Sequence, residues 1–227
     1  MIGVILFFML LSFALPGDTA SDYTALKFPD EHNGTNVIYF NPDMSSLSEK
    51  FSFCLWMRRL PSSGSGPVIF AYEKLELFLY AAGELRLLGV TMELSSENTP
   101  KMEELYHYCC TWSYVSRTYK VYMNGILVGT KITASERKLL IGGTLVLGDF
   151  DFEGHTNGNH FGGEMFNFNF FSKELTETEI AALSNNGLCT LVPGQLDDYR
   201  VIRWEDMLKI ARHGNIQDIE IGCGGKF

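Results

Sequence analysis

Short runs of β-branched and aromatic residues recur along most of this chain, alternating with polar positions and broken by turn residues. Val37-Ile38-Tyr39-Phe40 stops at Asn41-Pro42-Asp43. From Phe51 to Met57, the side chains of Phe51, Phe53, Leu55 and Met57 share one face of an extended strand. A loop, Pro61-Ser62-Ser63-Gly64-Ser65-Gly66-Pro67, separates this run from Val68 to Tyr72. Leu75 to Ala81 and Glu84 to Val90 flank Ala82-Gly83 and read as a hairpin, and Tyr106 to Tyr114 reads as a strand. In Tyr119 to Val128, Asn124-Gly125 sits between two apolar runs and supplies the positive φ angles of a type I′ turn, so a second hairpin is expected there. Thr144 to Leu147 and Glu164 to Phe171 complete the set. Strands so spaced, with almost no long helix, predict a β-sandwich or barrel.

One stretch departs from this period. Thr176-Glu177-Thr178-Glu179 forms a capping box with Thr176 as N-cap, and Ile180 and Leu183 lie three apart on one face, with Gly187 as a stop signal. A short helix lying on the sandwich is expected. A second helical pattern covers Trp204 to Ala211. No repeat, linker or low-complexity tract marks a second domain.

The first 20 residues change the picture of where this domain works. Ile2 to Leu15 is almost wholly apolar, shorter than the roughly 20 residues needed to span a bilayer, and is followed by Pro16-Gly17 and small residues up to Ala20. That is the shape of a secretory signal peptide over residues 1–20, leaving one domain over 21–227 in an extracellular, oxidising compartment. No other stretch is long enough to span a membrane. Asn33-Gly34-Thr35 is a glycosylation sequon, with Asn33 as acceptor. The net charge of −9 excludes the dense basic surfaces that nucleic acid and anionic membranes reward, and is compatible with cation binding. Five cysteines, Cys54, Cys109, Cys110, Cys189 and Cys223, are expected mostly to pair; the odd number leaves at least one thiol free or bonded to another chain. Cys109 and Cys110 are adjacent, so in a strand they point to opposite faces.

Phe51-Ser52-Phe53-Cys54-Leu55-Trp56, followed by His107-Tyr108-Cys109-Cys110-Thr111-Trp112, resembles the pentraxins, whose signature is His-x-Cys-x-Ser/Thr-Trp-x-Ser/Thr. Tyr114 stands where that signature has Ser or Thr. The resemblance continues through the Asn124-Gly125 hairpin, Leu145-Val146-Leu147-Gly148, Phe161-Gly162-Gly163-Glu164 and the Leu175 to Leu183 helix. It implies an all-β, two-sheet antiparallel sandwich of the concanavalin-like jelly-roll type with one short helix packed on a face. It also implies a Cys54–Cys109 disulfide; Cys189 with Cys223 is then the natural second bridge, clamping the C-terminal tail. Cys110 is left over, as a buried thiol or an intermolecular link. A secreted recognition protein follows, one that binds carbohydrate or phosphorylated ligands, or an extracellular protein, and that can form a homo-oligomer.

From Leu139 to Ser172 there is no Lys or Arg, while Asp149, Asp151, Glu153 and Glu164 all fall there. If Asp149-Phe150-Asp151-Phe152-Glu153 is extended, its three carboxylates share one face, a repulsion relieved by solvent or by a cation. Calcium favours such hard oxygen ligands, and Asn157, Asn159 and His160 follow in a Gly-rich loop. By the resemblance, the metal set would be Asp149, Asp151, Glu153, Asn157 and Asn159. The family's earlier Asp-Asn pair aligns with Lys74 and Leu75, which cannot ligate calcium, so the site is expected to be reduced. Tyr80 aligns beside the family's ligand pocket but also fits an inward strand position. Two other readings compete. A laminin-G-like adhesion module shares the sandwich without a small-molecule ligand. The Asp149-x-Asp151-x-Glu153 pattern resembles the catalytic strand of jelly-roll β-glucanases, whose paired carboxylates hydrolyse sugars. Only three Trp (Trp56, Trp112, Trp204) are present, and no other catalytic template occurs, so a non-enzymatic protein is expected. His107 is expected to pack in its strand.

Overall fold

A computed structural model of the chain describes residues 23–29, 36–61, 67–72, 77–133, 136–149, 160–185 and 192–221. Its strands form two antiparallel sheets. The first, eight-stranded, contains β1 (Tyr23–Phe28), β3 (Lys50–Arg59), β8 (Leu105–Ser113), β9 (Thr118–Met123), β10 (Ile126–Ile132), β12 (Gly163–Phe171), β13 (Arg200–Ile202) and β14 (Gln217–Ile221). Its order is β10-β9-β8-β3-β12-β1-β14, with β13 joined to β12. The second contains β2 (Ile38–Phe40), β4 (Val68–Tyr72), β5 (Leu77–Tyr80), β6 (Leu85–Leu87), β7 (Val90–Met92) and β11 (Leu145–Leu147), in the order β2-β11-β4-β5-β6-β7. The expected two-sheet jelly-roll sandwich is what forms.

The core lies between the sheets, and its centre is aromatic. Phe53 of β3 packs edge-on to Phe70 of β4 with ring centroids 4.9 Å apart, and Phe70 lies 5.2 Å from Phe168 of β12. Such pairs add about 0.5–1.5 kcal/mol each beyond the area they bury. The Asn124-Gly125 hairpin forms as predicted, with φ of 49° and 80°.

In β3 the face of Phe51, Phe53, Leu55 and Met57 is buried, but so are Ser52, Cys54 and Trp56 on the other face. At Cys54 the cause is α1 (Glu177–Asn185), which packs on the outer surface of the eight-stranded sheet. Ser52 is tied to the segment before that helix, its hydroxyl donating to the Lys173 carbonyl at 2.7 Å. Ile180 and Leu183 join Cys54, Cys109, Tyr122, Phe171, Leu175 and Leu196 in a second apolar cluster there. The helix starts on its predicted capping box. The Glu179 backbone N–H donates to Thr176 Oγ1 at 3.3 Å, and the Thr176 N–H donates back to Glu179 Oε2 at 2.8 Å, a cap worth about 1 kcal/mol.

Cys54 and Cys109 face each other across β3 and β8 and are joined as a disulfide, as the resemblance implied. They point outward, beneath α1. Cys110 points inward into the main core and is a buried free thiol. Cys189 and Cys223 lie outside the described residues, as do residues 1–20 and Asn33.

Some boundaries differ from expectation. The run Glu84 to Val90 is not one strand: Leu88 and Gly89 turn with φ of 49° and 84°, dividing β6 from β7. A leucine in the left-handed region gives no turn signal in sequence. The pattern at Trp204 to Ala211 yields only α3 (Trp204–Met207), beside a second four-residue helix, α2 (Gly194–Asp197). After α3 the chain turns back so that His213 bridges to Val37 and β14 pairs with β1. Strands β1, β13 and β14 were not legible because their partners are remote in sequence. Among the described residues, no helix is long and apolar enough to cross a membrane.

Candidate functional site

The acidic segment begins where β11 ends. Gly148 has φ 89°, and a Cβ there would fall 2.3 Å from the Phe28 ring and 2.6 Å from the Asn36 carbonyl oxygen, so only glycine fits. Its N–H donates to the Ile69 carbonyl at 2.8 Å, and its carbonyl accepts from the Phe161 N–H at 2.8 Å. The Phe161 ring packs on Phe28 with centroids 5.6 Å apart. The two ends of the segment are therefore clasped together, and the clasp brings Asp149 beside His160. Nδ1 of His160 stands 2.8 Å from Oδ2 of Asp149, whose side chain is wholly removed from solvent.

Of the expected metal residues, Asp149 alone lies among the described ones; Asp151, Glu153, Asn157 and Asn159 lie outside them, as do Lys74 and Leu75. Glu164, the fourth acidic residue of the region, is already neutralised. Arg58, from β3, donates to it through Nε at 2.8 Å and Nη2 at 2.7 Å, in the bidentate geometry that strengthens such pairs. Calcium takes six to eight oxygen ligands. Among the described residues, Asp149 belongs to no group of three His, Cys, Asp or Glu side chains able to share an ion, and these residues do not by themselves make a calcium site. The group that does cluster is Cys54, His107 and Cys109, but its two sulfurs are bonded to each other. His107 packs there as expected. Its ring lies 4.9 Å from that of Trp56, and burial pushes its pKa down to about 3, so it is neutral.

A second feature lies on the outer face of the six-stranded sheet. The strand register aligns Tyr39, Val146, Ala71, Phe78, Arg86 and Thr91 in one row across six strands. Tyr80 stands on the same outer face, in an apolar cluster with Val68, Ala71 and Phe78, separate from the core; the inward position that its alternation also allowed is filled instead by Leu77 and Leu79. The Tyr80 ring meets Phe78 edge-on at 4.9 Å, and the Arg86 guanidinium lies over the other side of the cluster, 5.6 Å from the Phe78 centroid. Partial burial, then the Glu84 charge, raises the Tyr80 hydroxyl pKa and keeps it a proton donor. Nε of Arg86 is buried without a hydrogen-bond partner.

Phe78 is itself buried, so the part-exposed Tyr80 ring, with a guanidinium nearby, is the group that can stack against an apolar ring face and donate to hydroxyl or anionic oxygens. Sequence reading passed over Arg86 and Phe78. The available signal was a charged residue between two core leucines, Leu85-Arg86-Leu87, which places that charge on an outward face.

Comparison of the coordinates with solved structures finds a native heptameric SAP-like pentraxin from Limulus polyphemus at 17% identity and TM-score 0.65, covering 86% of this chain and 94% of that one. A proposed carbohydrate binding protein from Bacteroides ovatus matches at 12% identity and TM-score 0.64, covering 88% of this chain and 60% of that one. The extracellular region of zebrafish Gpr126/Adgrg6 matches at 17% identity and TM-score 0.57, covering 80% of this chain and 24% of that one. At these identities the likeness is one of fold. No curated protein sequence matches the chain. Residues 32–181 match the family profile described as the concanavalin A-like lectin/glucanases superfamily. The chain thus belongs to the concanavalin A-like lectin/glucanases superfamily.

Proposed function

We propose that this chain is a secreted, non-catalytic carbohydrate-binding module of the pentraxin type, which holds its ligand on the outer face of the six-stranded sheet. The observation that carries the reading is the row through Tyr39, Phe78 and Arg86 with Tyr80 beside it. It gives a sugar the part-exposed rings of Tyr39 and Tyr80, a protonated phenol and a guanidinium on rigid strands, backed by the buried Phe78. The superfamily is one of lectins and glucanases, and the Bacteroides ovatus protein of similar fold is described as carbohydrate binding. Against hydrolysis stands the burial of Asp149: a carboxylate closed off from solvent and held by His160 does not reach a glycosidic bond. Secretion is supported by the Cys54–Cys109 disulfide. Assembly into a ring, as in the heptameric Limulus pentraxin, belongs to the same reading.

Calcium is the remaining part of this proposal. If the acidic segment holds an ion, Asp149 must exchange His160 for it, so His160→Ala tightens calcium binding and Asp149→Ala weakens it. Isothermal titration of an oligosaccharide panel and a phosphate monoester, with and without calcium, tests the whole. Tyr80→Ala and Arg86→Gln are each expected to weaken sugar binding about tenfold or more, the scale of one charge-assisted hydrogen bond or one stacked ring. Absence of any sugar binding would favour the laminin-G-like adhesion module.

A further inference from the structure

At the opposite end of the eight-stranded sheet lies a second concavity. The start of β12 pairs with Arg59 at the end of β3, beside the clasp at Asp149, whereas Ser113 at the end of β8 pairs with Lys50 at the start of β3. A ten-residue strand is about 30 Å long, so the two ends are separate. The concavity, about 450 Å³, is lined by Tyr114, Val115, Arg117 and Glu136. That volume is within the roughly 300–1,000 Å³ range of small-ligand sites.

The loop holding these residues is fixed by its own backbone. Arg117 adopts φ 53°, a left-handed conformation that costs a non-glycine residue on the order of 1 kcal/mol. It is held there because its N–H donates to the Tyr114 carbonyl at 3.2 Å. Its carbonyl accepts from both the N–H and the hydroxyl of the buried Thr133, at 2.7 and 3.2 Å. The Tyr114 N–H is in turn tied to the Glu49 carbonyl at 2.7 Å. The ammonium of Lys138 lies 5.4 Å from the Tyr114 centroid. Val115 is 89% exposed. The guanidinium of Arg117 reaches Glu136 at 3.3 Å, but both side chains are largely exposed, and an exposed pair of this kind contributes about 0–1 kcal/mol. A ligand carboxylate can displace Glu136 at little cost. The ligand's ring would then rest against Tyr114 and Val115. The Lys138 ammonium is itself paired with Glu49 at 2.5 Å, which leaves Arg117 as the cation for the carboxylate.

We infer that this concavity is a second ligand site, selective for a sugar bearing a carboxylate, with Glu136 occupying Arg117 until the ligand arrives. The inference stands apart from the outer-face site and is tested on the whole chain by saturation-transfer NMR and isothermal titration with glucuronic acid, N-acetylneuraminic acid and glucose. Both acidic sugars should bind about tenfold or more tightly than glucose. In an Arg86→Gln background, which removes the outer-face contribution, Arg117→Gln and Tyr114→Ala should each weaken them about tenfold. Glu136→Gln should tighten them, since the internal competitor is gone. Equal binding of glucuronic acid and glucose, or acidic-sugar binding unaffected by Arg117→Gln, would overturn the inference, as would weaker binding in Glu136→Gln. Thermal melts of each variant separate loss of the site from loss of the fold.

Discussion

Nδ1 of His160 lies 2.8 Å from Oδ2 of Asp149, although ten residues separate them along the chain between the end of β11 and the start of β12. Removing one partner of a buried pair leaves the other's desolvation uncompensated. His160→Ala is therefore expected to cost about 2–3 kcal/mol in urea unfolding, with much of the loss recovered in the His160→Ala, Asp149→Asn double variant. A loss below about 0.5 kcal/mol would show that Asp149 does not depend on this partner.

Gly148 sets the position of that pair. Gly148→Ala places a methyl group 2.3 Å from the Phe28 ring at φ 89°, so both sterics and backbone oppose it. A loss of about 3 kcal/mol or more is expected, with altered near-ultraviolet circular dichroism from the aromatic cluster of Phe28 and Phe161. A melting temperature like that of the parent chain would refute the close approach.

The Cys54–Cys109 bridge closes a loop with a sequence separation of 55 residues, worth about 4 kcal/mol on the chain-entropy model. The Cys54→Ala, Cys109→Ala variant should lose stability of that order. Cys110 behaves differently: burial pushes its thiol pKa well above the ordinary range. It should resist alkylation in the native state and react only on unfolding, which peptide mass mapping resolves from the other cysteines.

Acid should act through His107. Its folded pKa is depressed to about 3 by burial, whereas an unfolded histidine titrates near 6.5. Between those values the unfolded chain holds one more proton, so stability is present above about pH 6.5 and is lost as pH falls toward 3. The slope is at most about 1.4 kcal/mol per pH unit. His107→Phe, which keeps a ring against Trp56, should flatten the profile between about pH 6.5 and 4. At the alkaline end the sign reverses. The raised pKa values of Cys110 and Tyr108 stabilise the fold below their unfolded values and lose that effect as pH rises beyond them.

Much of the sandwich was legible because short apolar runs bounded by turn residues are a local signal: β3, β4, β8, the β9–β10 hairpin and β12 all carry it. The capping box at Thr176 and Glu179 was equally local, since its two hydrogen bonds join residues three apart. The site was harder to read. Asp149 could be named from its charge pattern, but not its burial or its partner, which depend on the Phe161–Gly148 clasp. Glu164 counted as part of the acidic segment until Arg58 arrived from another strand.

Sequence by itself determined the strand-rich class, the covering helix and, through resemblance to the pentraxins, the Cys54–Cys109 bridge, because alternation, caps and motif spacing lie within a few residues or a recognisable signature. Only the tertiary structure decided which face each side chain serves. It placed Tyr80 outward beside Phe78, aligned Arg86 with Tyr39 across intervening strands, and turned Cys109 outward and Cys110 inward. Those outcomes depend on strand register and on what packs against each sheet, and both are set by partners distant in the chain.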